Sequence, residues 1–169
     1  MGAFERTYTD LQRFDFALLR DGPVILYYDQ SELDKACIWL RKHAYTFYLL
    51  DCKQWRSSGD LHEDFYSKVA SALSIADCDD DRDAFRDCLY YLEVPDEGGV
   101  AIVFSNYDSF VEQSPRYAHD ILDIIAEISR FNLLFGRRLL MLVHSQDAYL
   151  ELEPVGERPV LPTHWKPDI

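Results

Sequence analysis

The sequence predicts an α/β protein: a small, mainly parallel sheet of three or four strands, flanked by helices in two or three layers. Short apolar runs alternate with segments whose apolar residues recur every three or four positions, the order expected when crossover helices join parallel strands. Val100-Ala101-Ile102-Val103-Phe104 and Leu139-Leu140-Met141-Leu142-Val143 lack polar alternation, as do strands buried on both faces. The 169 residues are 48% apolar and 28% charged, a globular balance in a chain long enough for one domain with its own core.

The elements follow in chain order. An ambiguous helical pattern spans about Tyr8 to Leu19. Val24-Ile25-Leu26-Tyr27-Tyr28, between Gly22-Pro23 and Asp29, reads as a buried strand. Ser31 is then placed as the cap of a helix with Leu33, Ala36, Cys37 and Leu40 on one face. Thr46 to Cys52 is a second strand. Leu61, Phe65, Val69 and Leu73 mark a helix, and a third helix runs from about Asp80 to Leu92 on a stripe of Ala84, Phe85, Cys88, Leu89 and Leu92. Pro95 to Gly99 is a turn before the strand 100–104. Ser114 and Pro115 open a helix whose face is Ala118, Ile121, Leu122, Ile125 and Ile128. Gly136 ends that connection, and Arg138 to His144 is the last strand. Four prolines after residue 151 make the tail an extended strap or a loose end. Three segments result: an N-terminal extension (1–45), a main domain (46–145) and a tail (146–169).

Lys and Arg total 17 against 30 Asp and Glu, a formal net charge of −13. Such a field repels phosphate backbones and anionic headgroups, and no basic block opposes it locally, so neither nucleic acid nor membrane is expected as a partner. The start lacks a secretory apolar core, and no apolar run approaches the roughly 20 residues of a membrane span. A soluble cytoplasmic chain is the expectation. Cys37, Cys52, Cys78 and Cys88 are scattered, without C-x-x-C pairs or zinc spacing, and read as reduced thiols.

The stretch Asp77 to Asp87 is the most informative. It holds six aspartates against two arginines, and its first aspartates suit a helix dipole. Asp83 and Asp87 lie beyond that help, four residues apart on one side, where like charges repel by a few tenths of a kcal/mol. The pair is either incidental or a docking feature. Asp77-x-Asp79-x-Asp81 imitates an EF-hand start, but Arg82 and Cys88 stand where that loop needs Gly and Glu. No Walker-type glycine loop, G-x-S-x-G elbow or H-E-x-x-H pair occurs, so no metal, cofactor or enzymatic activity is expected. A thiol such as Cys52 or Cys88 with a distant His is a weak nucleophilic alternative. Tyr90 and Tyr91 follow the acidic pair and flank a prospective contact surface.

Ser58-Gly59-Asp60-Leu61-His62, an acidic loop, Asp83-Ala84-Phe85-Arg86-Asp87-Cys88-Leu89, an apolar strand, a long helix and Arg138 to Ser145 together resemble the barstar family of intracellular ribonuclease inhibitors, over about residues 46–145. The resemblance implies a non-enzymatic fold whose acidic helix enters the active site of a basic ribonuclease. There, carboxylates replace substrate phosphates. Carried over, the inhibitory aspartates fall on Asp83 and Asp87, and a further carboxylate falls near Glu127. Asp79 and Asp80 add charge beside them. Departures are Cys78, Asp79 and Asp81 in place of Tyr, Gly and Asn, Arg86 in place of an aromatic, and a longer loop from Glu93 to Gly99. The expected partner is a basic ribonuclease toxin bound 1:1 by an immunity protein or antitoxin that is monomeric when free. The alternative is an interaction module of the same fold with a non-nuclease partner.

Overall fold

The computed structural model describes residues 2–69, 82–160, 162–163 and 167. Four strands form one sheet in the order β1-β4-β3-β2: β1 Val24–Tyr27, β2 Tyr45–Asp51, β3 Gly99–Ser105 and β4 Leu139–His144. Every pairing is parallel, with Tyr45 opposite Gly99, Val100 opposite Leu139 and Val24 opposite Met141. The described helices are α1 Tyr8–Leu11, α2 Phe14–Asp21, α3 Gln30–Lys42, α4 Ser58–Val69, α5 Arg82–Tyr90, α6 Tyr107–Gln113 and α7 Pro115–Leu134. None is long and apolar enough to cross a membrane.

Side chains alternate across the strands and define two cores. Val24, Leu26, Val100, Ile102, Phe104, Leu139, Met141 and Val143 point toward α4, α5, α6 and α7. Ile25, Tyr27, Ala101, Val103, Leu140 and Leu142 point the other way, toward α2 and α3. The arrangement is therefore three-layered. Both inner strands are fully buried along β4 and nearly so along β3, matching their uninterrupted apolar sequence. β2 is one of the two edge strands, and its exposed Thr46 and Leu49 follow from that place.

Several element boundaries differ from expectation, each for a local reason. The N-terminal helix is two helices, because Arg13 is extended and turns its guanidinium onto Asp15 (2.8 and 2.9 Å). Asp29, rather than Ser31, caps α3 by accepting the Ser31 N–H at 2.7 Å. Cys52 opens a short 3-10 turn instead of ending β2. Helix α6 was not anticipated: its cap, Asn106, is left-handed at φ 55°, so Asn106-Tyr107-Asp108-Ser109 has the composition of a turn. Tyr107 and Phe110 nevertheless bury completely. Ser114 stands at the cap position of α7 without a side-chain capping bond, with Pro115 just inside. Cys37, Cys52 and Cys88 are buried thiols, and burial pushes the Cys37 thiol up to about 11. Cys78 lies outside the described residues.

The tail is a strap. The Tyr28 hydroxyl donates to Leu150 O at 2.6 Å, the Arg158 guanidinium to Arg20 O at 2.8 Å, and the Thr163 N–H to Leu26 O at 3.2 Å along the outer edge of β1. A buried polar network joins the N-terminal segment to the rest. Asp15 is fully buried and accepts from Arg13 and from the Tyr45 hydroxyl (2.7 Å), with the Arg138 guanidinium 3.9 Å away. Gly98 passes so close to the Ala44 backbone, at φ +77°, that a side chain there would collide with it.

Asp15→Ala leaves the buried Tyr45 hydroxyl and the partly exposed Arg13 guanidinium without their carboxylate and is expected to cost about 1–3 kcal/mol in urea unfolding. At the start of α4, the Asp60 carboxylate is held below its ordinary 3.8 chiefly by the Arg56 N–H (2.6 Å), with Ser57 N–H (3.0 Å) adding to it. The unfolded chain therefore takes that proton first. The stabilisation is complete above the unfolded value and is lost as pH falls through the lower, folded one. Asp60→Asn should flatten the acid limb of stability against pH, read from urea midpoints between about pH 5 and pH 2.

Candidate functional site

Helix α5 is fixed to the core by one face. Phe85, Cys88 and Leu89 are completely buried, and the Phe85 ring lies 4.8 Å from that of Phe65 on α4. The same contacts explain the Ser58-Gly59-Asp60-Leu61-His62 signature in structural terms. Asp60 ties the helix start, Leu61 is core, and the His62 Nε2 lies 2.6 Å from the Tyr117 hydroxyl of α7. With the inner face seated, Asp83 and Asp87 can only stand outward.

Both do. Asp83 is 86% exposed, and Asp87 is exposed with no ion pair among the described residues. Helix α7 lies alongside in the same direction, since partners succeed one another in step: Arg82 with Asp120 (2.7 Å), Arg86 with Glu127 (3.2 Å) and Tyr90 with Phe131 (ring centroids 5.0 Å). Arg86 also reaches Asp83 at 3.3 Å, so one guanidinium bridges a carboxylate of each helix, while its Nε is buried without a partner among the described residues. These bridges are long and partly exposed, which makes them weak.

Beside this ridge runs a cleft of about 930 Å³ between α5, α7 and the tail. Its far wall is built by Gly156, whose N–H donates to Asp123 Oδ1 (2.7 Å) and whose carbonyl accepts from Arg130 (2.9 Å). Among the described residues, carboxylates and guanidiniums line it, with Ile124, Pro154 and Gly156 between them. No cluster of three or more His, Cys, Asp or Glu able to hold a metal occurs among the described residues. The arrangement is suited to pairing with charges on another molecule.

Of the residues singled out from sequence, Asp83, Arg86, Asp87 and Tyr90 share the outer side of α5, and Glu127 joins them from α7. Tyr91 lies one residue past the helix, its N–H still bonded to Asp87 O at 3.0 Å. Asp79 and Asp80, and the Asp77-x-Asp79-x-Asp81 series, lie outside the described residues. Sequence reasoning missed Arg82–Asp120, the Asp123–Gly156 contact and an apolar cluster at the end of α7. The cluster had a signal: Phe131, Leu134 and Phe135 repeat at helical spacing but fall off the buried stripe, and Leu134 and Phe135 are 81% and 61% exposed. The tail contacts had none, because they join residues far apart in sequence.

The two sides of α5 should respond differently to truncation. Phe85→Ala leaves a cavity where α4 and α5 meet and is expected to cost about 3–5 kcal/mol. Arg86→Ala, which breaks only weak bridges, should cost less than about 1 kcal/mol. Urea unfolding of both variants reads the contrast, and equal losses would contradict the seating of α5 by Phe85.

A comparison with curated proteins finds no match. The family model described as "Barstar (barnase inhibitor)" matches residues 45–143, from the first residue of β2 to the penultimate residue of β4. That span is more than half of the chain and contains α4, α5, α7 and the exposed carboxylates. The chain belongs to the barstar family, a family of ribonuclease inhibitors.

Proposed function

We propose that this chain is the immunity protein, or antitoxin, of a ribonuclease toxin, and that it blocks the enzyme by seating the outer side of α5 in its active site. The observation that carries the reading is the exposed pair Asp83 and Asp87 on a helix whose opposite side is locked by Phe85, Cys88 and Leu89. A ribonuclease must gather cations around RNA phosphates. Two carboxylates one turn apart satisfy those cations and offer no bond to cleave. Because the helix is already held, little freedom is lost on docking. Glu127 supplies a third carboxylate across the groove, and the net charge of −13 speeds encounter with a basic enzyme. The proposed inhibitor is a monomer when free, binds 1:1, uses no cofactor, and protects RNA in the cytoplasm of the producing cell.

Inhibition of RNA cleavage by barnase and a set of other basic ribonucleases tests this reading, with titration calorimetry for stoichiometry. Asp83→Ala and Asp87→Ala should each weaken binding about 30-fold to several thousandfold. This matches the roughly 2–5 kcal/mol lost when one partner of a buried charge pair is truncated, a range informed by barnase–barstar itself. The wild-type association rate should fall steeply with salt. A stable 1:1 complex that leaves RNA cleavage intact would instead support a non-nuclease partner.

A further inference from the structure

The acidic side of α5 does not end at Asp87. Tyr90 stands seven residues from Asp83 and three from Asp87, on the same side of the helix. On α7, Phe131 likewise follows Glu127 by one turn. From there the surface is aromatic: Tyr91 meets Tyr90 edge-on at 5.5 Å, Tyr90 lies 5.0 Å from Phe131, and Phe131 lies 5.0 Å from Phe135. Tyr90 is 49% exposed and Tyr91 62%, and with Phe135 and Leu134 they leave a contiguous apolar patch in water. Such patches are uncommon unless something covers them. One continuous surface therefore presents carboxylates first and rings next, along the same two helices.

We propose that this patch docks on the base-binding wall of the same ribonuclease, with Tyr90, Tyr91, Phe131 and Phe135 taking the place of nucleobases as Asp83 and Asp87 take that of phosphates. The inference rests on the inhibitory reading above. The aromatic patch continues the acidic one, and an enzyme that grips single-stranded RNA needs cations for the backbone and, within one nucleotide of them, aromatic or guanidinium planes on which bases stack. An acidic surface alone would fit any basic cleft. Carboxylates flanked by exposed rings fit a cleft that reads both halves of a nucleotide. Tyrosines also suit this position, since they bring large contact area with only two side-chain torsions to immobilise.

The test compares Tyr91→Ser, Phe135→Ser and their double variant with Asp87→Ala in the full chain, against barnase and the same set of basic ribonucleases. The replaced rings are exposed, so urea midpoints should stay at wild type. The double variant is expected to dissociate at least tenfold faster, with an unchanged association rate and little dependence on salt, whereas Asp87→Ala also loses salt-sensitive association. If Asp87→Ala loses inhibition while the double variant dissociates at the wild-type rate, the aromatic proposal is overturned and the inhibitory reading stands. If the double variant inhibits normally and instead abolishes a dimer seen by sedimentation of the wild type, the patch is a seam between copies and the proposal fails. If the wild type inhibits none of the enzymes, both readings fall together.

Discussion

A parallel sheet has no face that can be left in water, and this constraint organises the molecule. Strands β3 and β4 bury side chains on both sides, so each face needs its own helical layer. Helices α4 to α7 cover one. Among the described residues the other is covered mainly by α2 and α3, which precede the family-matched segment. Without them Ala101, Val103, Leu140 and Leu142 would be exposed. The N-terminal residues are therefore a structural layer, and β1 extends the sheet they cover. Asp15 closes the joint by holding Arg13, Tyr45 and, at longer range, Arg138 around one buried carboxylate.

That layering sets the rigidity of the outer surface. Phe85 and Leu89 belong to the core that includes Phe65, Ile102 and Phe104, so tilting α5 would open that core. Carboxylates mounted on such a helix keep their spacing without help from a partner. Preorganisation of this kind separates an acidic surface that merely attracts cations from one that fits a particular arrangement of them.

The fold was legible in the sequence because its signals are local and concordant. Continuous apolar runs gave β3 and β4, Pro115 gave the start of α7, and the Asp83-to-Leu89 word placed α5. What escaped detection depends on distance or on unusual backbone. Asn106 in a left-handed conformation hides the start of α6 behind turn composition. Arg13 breaks a helix because of Asp15 and Tyr45, the latter thirty-two residues away. The outer side of α5 was anticipated, whereas its continuation onto Phe131 and Phe135 depends on α7 running alongside in the same direction, which no single helical pattern reveals. The wall formed by Gly156 is a long-range contact of the same kind.

Arg86 shows how the two regimes of charge in this chain differ. At Asp15 the carboxylate is fully buried and hydrogen-bonded at 2.7–2.9 Å, so losing Arg13 would leave it with only the more distant Arg138 guanidinium and the Tyr45 hydroxyl in place of solvent. At Arg86 the bonds are 3.2 and 3.3 Å, and both carboxylates remain largely solvated. One guanidinium offsets part of the repulsion among Asp83, Asp87 and Glu127 but cannot neutralise three anions. It bridges Asp83 and Glu127 only weakly across the groove and can yield either to an incoming cation at little cost. The buried network thus preserves the scaffold, and the exposed one leaves the acidic surface ordered yet still able to exchange its partners.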